Sequence, residues 1–255
     1  AQCGCLLAAL VLVGCASPPP APEPRAHSPA PASPTTEAPQ ATSQKLAWTP
    51  GQSWHTYLLP SKKPTTFSKV QMDGRDAVLA VADSSASLLR QQVRIPADEL
   101  KQVKFSWKVP QLIEAADFSL RDGDDSPVRI VLTFEGNRSN WSAKNAMLSE
   151  LSQLITGEEL PYATLMYVWC NKRAPGSVIH NPRTDRIRKM VVESGTKNLN
   201  QWLDYERNIA ADFEKAFGEK PGALVGMALM TDSDNTRSQT RAYYGPISHG
   251  PVSMR

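Results

Sequence analysis

Lys104-Phe105-Ser106-Trp107-Lys108-Val109 alternates strictly, with Phe105, Trp107 and Val109 on one face and lysine and serine on the other. That period of two is the pattern of a half-buried strand, and Pro110, which has no amide hydrogen for a ladder, ends it. Arg129-Ile130-Val131-Leu132-Thr133-Phe134 reads the same way, with Ile130, Leu132 and Phe134 inward and Glu135-Gly136-Asn137 closing the run. Thr164 to Cys170 and Leu224 to Met230 are apolar on both faces, which suits central strands. Weaker strand signals fall at 54–59, 67–72, 77–82, 87–93, 178–180, 187–193, 202–206 and 242–247.

In two places the period changes to that of a helix. From Asn208 to Gly218, the residues Ile209, Phe213, Ala216 and Phe217 form one stripe, with Asn208 suited to the N-cap and Gly218 to the position after the last turn. From Ser142 to Ile155, the residues Met147, Leu151, Leu154 and Ile155 share a face, and Gly157 follows. Both helices are expected to cover a sheet with their apolar stripes. Many short strands separated by Gly, Pro and Asn predict a mainly β chain folded as a β-sandwich with two short covering helices.

The front of the chain is of another kind. Leu6 to Val13 is an apolar run that stops well short of the roughly 20 residues of a spanning helix. It closes in Leu12-Val13-Gly14-Cys15, which resembles a bacterial lipobox. In that class the chain is cut before the cysteine and lipid is attached to its thiol, so the resemblance implies a leader over 1–15, lipidation at Cys15 and a membrane anchor. An ordinary signal peptide with an incidental cysteine is the alternative. Ala16, rather than Asp, follows Cys15, which in lipoproteins implies the outer membrane, facing the periplasm. Residues 16–44 are dense in Pro, Ala, Ser and Thr and read as an extended tether. Residues 45–255 are then one domain by length.

The net charge of +3 is spread along the chain. Its densest basic cluster, Arg183, Arg186, Arg188 and Lys189, reads as a solvated edge; it is too short for a nucleic-acid patch. Cys170 is the only cysteine of the body, so the mature domain has no intrachain disulfide, and within an apolar strand it reads as a small buried hydrophobe. No Gly-x-Ser-x-Gly elbow, His-Glu-x-x-His helix or phosphate-binding glycine fingerprint occurs, and His55, His180 and His249 are isolated.

The candidate chemistry lies in two acidic loops. Arg121-Asp122-Gly123-Asp124-Asp125-Ser126 precedes one strong strand, and Thr231-Asp232-Ser233-Asp234-Asn235-Thr236 follows another. Oxygen side chains at alternating positions are what a hard cation such as Ca²⁺ takes from a loop, although neither loop has the glycine and glutamate of an EF-hand. Plain turn stabilisation by Asp and Asn is the competing reading. If the loops meet, several carboxylates crowd together and need a cation, or Arg121, Arg129 and Arg241, to balance them. A catalytic pair drawn from Asp117, Asp122, Asp125, Asp204, Glu206, Asp212 and Asp232 also stays open. Trp54, Trp107, Trp169 and Trp202 read as core. Trp141, Tyr243 and Tyr244 stand beside polar residues and are candidates for an exposed platform that stacks on sugar rings.

Phe105-Ser106-Trp107-Lys108-Val109, the Arg121–Asp125 loop followed by Arg129-Ile130-Val131, Tyr205-Glu206-Arg207-Asn208-Ile209, and the run Gly226–Thr236 ending in Tyr243-Tyr244-Gly245 occur in an order that resembles the bacterial family known as domain of unknown function 3047. The resemblance runs from about Trp54 to Ile247 and implies a jelly-roll sandwich of the galactose-binding or carbohydrate-module kind, with no assigned activity. Lys108 stands where the family pattern leads one to expect Arg. The leading expectation is a non-catalytic, lipid-anchored periplasmic module binding a glycan or other envelope polymer. Asp122, Asp124, Asp125, Asp232, Asp234 and Asn235 would hold a structural Ca²⁺ or the ligand's polar edge, with Arg129, Tyr243 and Tyr244 on the ligand. A polysaccharide hydrolase or lyase, and a structural interaction protein of the envelope, are the rivals.

Overall fold

The computed structural model describes residues 54–250, which belong to a single unit. The expected leader over 1–15, Cys15 and the expected tether over 16–44 lie outside the described residues. Two sheets make up the fold. The first runs in the order β1 (His55–Leu58), β4 (Ser87–Ile95), β11 (Leu224–Asp232), β6 (Ser126–Phe134), β7 (Ala163–Cys170), β9 (Ile187–Ser194), β8 (Val178–His180). The second runs β10 (Trp202–Asn208), β5 (Gln102–Lys108), β12 (Gln239–Tyr244), β3 (Arg75–Asp83), β2 (Thr66–Met72), with β13 (Ser248–Gly250) also on β5. Neighbours are antiparallel except β7 and β9, which are parallel.

Among the described residues the chain changes sheet seven times: between β1 and β2, β3 and β4, β4 and β5, β5 and β6, β9 and β10, β10 and β11, and β11 and β12. In consequence β11 lies between β4 and β6 while β12 lies between β3 and β5. The order 3-12-5-10 facing 4-11-6-7 is a jelly roll. Alternation drives it: Val103, Phe105 and Trp107 of β5 meet Leu165, Tyr167 and Trp169 of β7 and Ile130, Leu132 and Phe134 of β6 in one core. Each such side chain contributes about 1.5–3 kcal/mol on burial. Phe105 stacks on Tyr167 across the sheets at 5.5 Å between ring centres.

β6 differs from the half-buried strand expected of it. Its other face is also covered, with Arg129 and Val131 nearly fully buried, while Val128 joins Ile130, Leu132 and Phe134 in the inner core. The cause is the segment between β5 and β6, whose Phe118 packs on Val168, Cys170, Ile179 and Val191 on the outer side of the first sheet. The last expected strand, 242–247, is displaced by three residues toward the start of the chain, to Gln239–Tyr244. Gly245, so close to β5 that a Cβ there would lie 1.9 Å from Ser106 Oγ, still donates its amide to the Ser106 carbonyl at 2.9 Å, and Pro246, which has no amide hydrogen, ends the pairing.

Both helices form with the expected caps. In α2 (Ile209–Phe217) the Asn208 side chain accepts from the Ala211 amide at 3.0 Å, and Gly218 takes φ +73°. Ile209, Phe213 and Ala216 of its stripe are buried and Phe217 is half-buried, with Phe213 edge-on to Phe134 at 4.7 Å. α1 (Ala143–Thr156) is capped by Ser142 and stopped by Gly157 at φ +76°, but it corrects the covering role read from its stripe. Met147, Leu151, Leu154 and Ile155 are 50–84% exposed, and the buried residues are Asn145 and Ser149. Those two are tied down by hydrogen bonds: Asn145 donates to Asp185 at 2.5 Å and accepts from Thr184 at 2.8 Å, and the Leu160 amide donates to Ser149 Oγ at 3.1 Å. Polar anchoring decides which side of α1 faces the protein.

Candidate functional site

The end of β11 and the start of β6 are neighbours, with Asp232 opposite Ser126. The two acidic loops therefore leave the sheet at one place. The Ser126 amide donates to Asp232 Oδ1 at 3.0 Å. Arg129, three residues into β6, grips Asp232 with both Nε (3.0 Å) and Nη2 (2.8 Å), and Nη2 also donates to Asp124 Oδ1 at 3.1 Å and to the Asp124 carbonyl at 2.8 Å. Lys189 Nζ completes the set at 2.7 Å from Asp124 Oδ2. Asp125 ties the second loop to the first. Its Oδ1 accepts from the Asn235 amide (3.2 Å) and Nδ2 (3.0 Å), and its Oδ2 from the Thr236 amide (2.7 Å) and hydroxyl (2.6 Å). Asp234 pairs with Lys62.

Arg129, Lys189, Asp232 and Asp124 form part of the lining of a cleft of about 450 Å³ on the outer side of the first sheet. Leu88, Leu160, Met166, Ile187 and Met230 give it apolar walls, and Lys62, Arg121 and Arg183 add further charge. The strand register explains the wall: Leu88, Met230 and Arg129 are direct cross-strand neighbours on β4, β11 and β6. Phe118 lies 5.3 Å from the Arg129 guanidinium and 5.2 Å from Lys189 Nζ, so one ring backs both cations.

Burial pushes Asp232 up to about 7, with Asp125 and Asp124 adding to the rise and Arg129 opposing it. Burial alone would also raise Asp124, but Arg129 and Lys189 outweigh it and hold that carboxyl below the usual range. Lys189 is depressed by burial and by the charge of Arg129. Arg129, although buried, is kept cationic by Asp232 and Asp124.

The structure brings together Asp124, Asp125, Asp232, Asp234, Asn235 and Arg129 as expected of a common site. Asp122 does not join them; it is exposed, on a 3-10 turn at Arg121–Gly123. Tyr244 corrects the platform expectation. It is fully buried, and its hydroxyl accepts from the Arg129 amide at 3.2 Å and lies 2.7 Å from the Met230 carbonyl, so it supports the cleft from inside. Tyr243 is also buried, opposite Lys108 on the second sheet and away from the cleft. Arg241 is exposed and takes no part, whereas Lys189, read in the sequence as part of a solvated edge, is 1% exposed and is a central cation. The signal for it was present: a lysine between Ile187 and Val191 on one strand face must be buried with a counter-charge.

Asp125, Asp232 and Asp234 each place a carboxylate oxygen within 4.8 Å of the others, a group that could hold a metal ion. Their lone pairs argue against Ca²⁺ there. Asp125 accepts four hydrogen bonds and Asp232 three, whereas Ca²⁺ requires about six to eight oxygens. Thermal melts in millimolar calcium and in chelator are therefore expected to coincide; a calcium-dependent rise above about 2 °C would restore the ion.

Fold and site define a jelly-roll sandwich with a charged, apolar-walled cleft at one end of its first sheet. The chain belongs to the family described as Protein of unknown function (DUF3047), whose profile matches residues 52–248. No curated protein matches the chain. Among solved structures, the xyloglucanase domain of NopAA, a type three effector from Sinorhizobium fredii in complex with cellobiose, is similar at 12% identity. That likeness covers 78% of this chain and 93% of the other with a TM-score of 0.41, and it carries no argument about ligand or activity.

Proposed function

We propose that the protein is a non-catalytic binding module of the cell envelope, anchored through lipid on Cys15 in the outer membrane, facing the periplasm, and that its cleft takes a hydroxyl-rich segment of a glycan or other envelope polymer. The observation that carries the reading is a cleft whose buried cations keep unused donors. Of the three N–H groups of a lysine, Lys189 uses one on Asp124, and among the described residues Arg129 Nη1 meets only the Met166 sulfur at 3.9 Å. Those donors, Asp234 as acceptor and the apolar wall suit a ligand that alternates hydroxyl edges with apolar faces. The lipobox resemblance and Ala16 support the anchor and its membrane.

Affinity electrophoresis of the full chain in soluble envelope oligosaccharides tests the cleft. Retardation should weaken about tenfold in Lys189→Gln. No retardation by any fraction, or an unchanged Lys189→Gln, removes the reading. Cys15→Ser should move the protein from the membrane fraction to the soluble one. A hydrolase reading is favoured by one observation, that Asp232 is pushed up to about 7 with a carboxylate oxygen of Asp234 within 4.8 Å. Against it, Asp232 is 3% exposed and both its oxygens are engaged. Released reducing ends that vanish in Asp234→Asn would establish that rival.

A further inference from the structure

We propose that a second cavity, of about 240 Å³ at the N-terminus of α1, binds a phosphoryl or sulfate oxyanion on the guanidinium of Arg188. This site is separate from the cleft on the acidic loops and does not depend on the reading of that cleft. Its lining includes Ser142, Lys144, Asn145, His180, Asp185 and Arg188. Arg188 is the anomaly. It is 9% exposed, its Nε is buried with no hydrogen-bond partner, and its one hydrogen bond among the described residues runs from Nη1 to the Ile187 carbonyl at 3.4 Å. A guanidinium carries five N–H donors, and burying one without an anion is costly. Arg129, more deeply buried still at 3% exposure, shows what this protein does elsewhere: it meets two carboxylates.

The nearby acid does not serve Arg188 in this way. Asp185 Oδ1 accepts from Asn145 Nδ2 at 2.5 Å and lies 3.8 Å from Arg186 Nε, and no hydrogen bond joins it to Arg188. The Phe217 ring covers one face of the guanidinium at 5.6 Å, which leaves its edge for a ligand. His180 stands directly opposite Arg188 on the adjoining strand. The start of α1 adds partial positive charge: the helix has 14 residues, Ser142 Oγ accepts only from the Asn145 amide at 3.3 Å, and no acidic residue occupies its first turn. Lys144, within that turn, makes no ion pair among the described residues. Every feature except Asp185 favours an anion.

Inorganic phosphate is the probe, with the full chain melted in phosphate-free buffer, in phosphate, and in chloride of equal ionic strength. Phosphate should raise the midpoint by several degrees and chloride should not. Arg188→Met should melt at or above the unmodified protein without phosphate, because an unpaired buried charge is gone, and it should lose the phosphate increment. Arg188→Lys keeps the charge and loses the fork, so phosphate affinity measured by calorimetry should fall about tenfold. A glycosyl phosphate that binds more tightly than inorganic phosphate places the oxyanion on a larger ligand; equal affinity assigns free phosphate. Equal increments from phosphate and chloride, or an undiminished phosphate increment in Arg188→Met, overturn the proposal. Lys189→Gln should leave phosphate binding intact, which separates failure of this site from failure of the cleft.

Discussion

Arg129→Met is expected to destabilise the fold by about 3–5 kcal/mol at neutral pH, measured by urea denaturation. The side chain is buried beneath Phe118 and joins Asp232 and Asp124. Methionine fills much of the volume, so the loss is electrostatic: Asp232 stays buried with only the Ser126 amide as a donor. Adding Asp232→Asn should recover more than half of the loss, because the carboxylate left without a partner is then gone. The deficit should also shrink in acid. Asp232 already titrates near 7 in the intact site, where burial lifts it, above the unfolded value of about 3.9. A raised carboxyl makes the folded state bind the proton more tightly, so its contribution to stability is full below about pH 4 and is lost as pH rises to about 7. Removing Arg129 lifts Asp232 further and moves the end of that loss to higher pH. Denaturation at pH 5.5 and pH 8 should therefore show the smaller deficit at pH 5.5; equal deficits would mean that Asp232 is not the group left without a partner.

Much of this architecture is legible in period alone. The two-residue alternation of β5 and the apolar runs of β7 and β11 give the sandwich, because a strand cannot change its inward set without a slip of register. The caps of both helices are legible for a local reason, since Asn208, Ser142 and the two stopping glycines act on their own backbone. What α1 faces was not legible. Its stripe of Met147, Leu151, Leu154 and Ile155 predicts burial, and only the tertiary partners of Asn145 and Ser149, at Asp185 and Leu160, turn it outward. The same holds for β6, whose second face is covered by a loop with no periodicity to betray it.

The site shows the same division. Side-chain chemistry picked out the right loops, and their spacing relative to β6 and β11 allowed them to meet, but which members turn inward depends on the sheet. Asp122 and Asp125 look alike in the sequence and end with opposite fates, one exposed and one 1% exposed. Tyr244 reads as an exposed aromatic beside Tyr243. The register that pairs it with Trp107 sends it into the core, where its hydroxyl meets Met230 and Thr231. Lys189 sits in a basic cluster that in the sequence suggests solvent, whereas Arg188 and Lys189 are successive positions on β9 and so fall on opposite faces.

Asp125 offers the sharpest test of how the cleft is held. It accepts two hydrogen bonds on each oxygen from Asn235 and Thr236, so it fixes the loop that carries Asp232 and Asp234. Asp125→Asn changes few atoms but turns one acceptor into a donor. Whichever way the amide sits, it faces either the Thr236 amide and hydroxyl or the Asn235 amide and Nδ2 with another N–H, and a buried donor is left unsatisfied. The expected loss is about 2–4 kcal/mol, since hydrogen bonds to charged groups and unsatisfied buried donors each weigh about 1.5–3 kcal/mol and the loop relaxes to relieve part of it. Asp122→Asn, three residues away and exposed, should change stability by less than about 0.5 kcal/mol. Hydrogen exchange separates this from general loosening. The amides of Asn235 and Thr236 should lose protection in Asp125→Asn while those of β7, in the centre of the first sheet, keep theirs. Unaltered protection at 235 and 236 would show that the second loop is held by something other than this carboxylate.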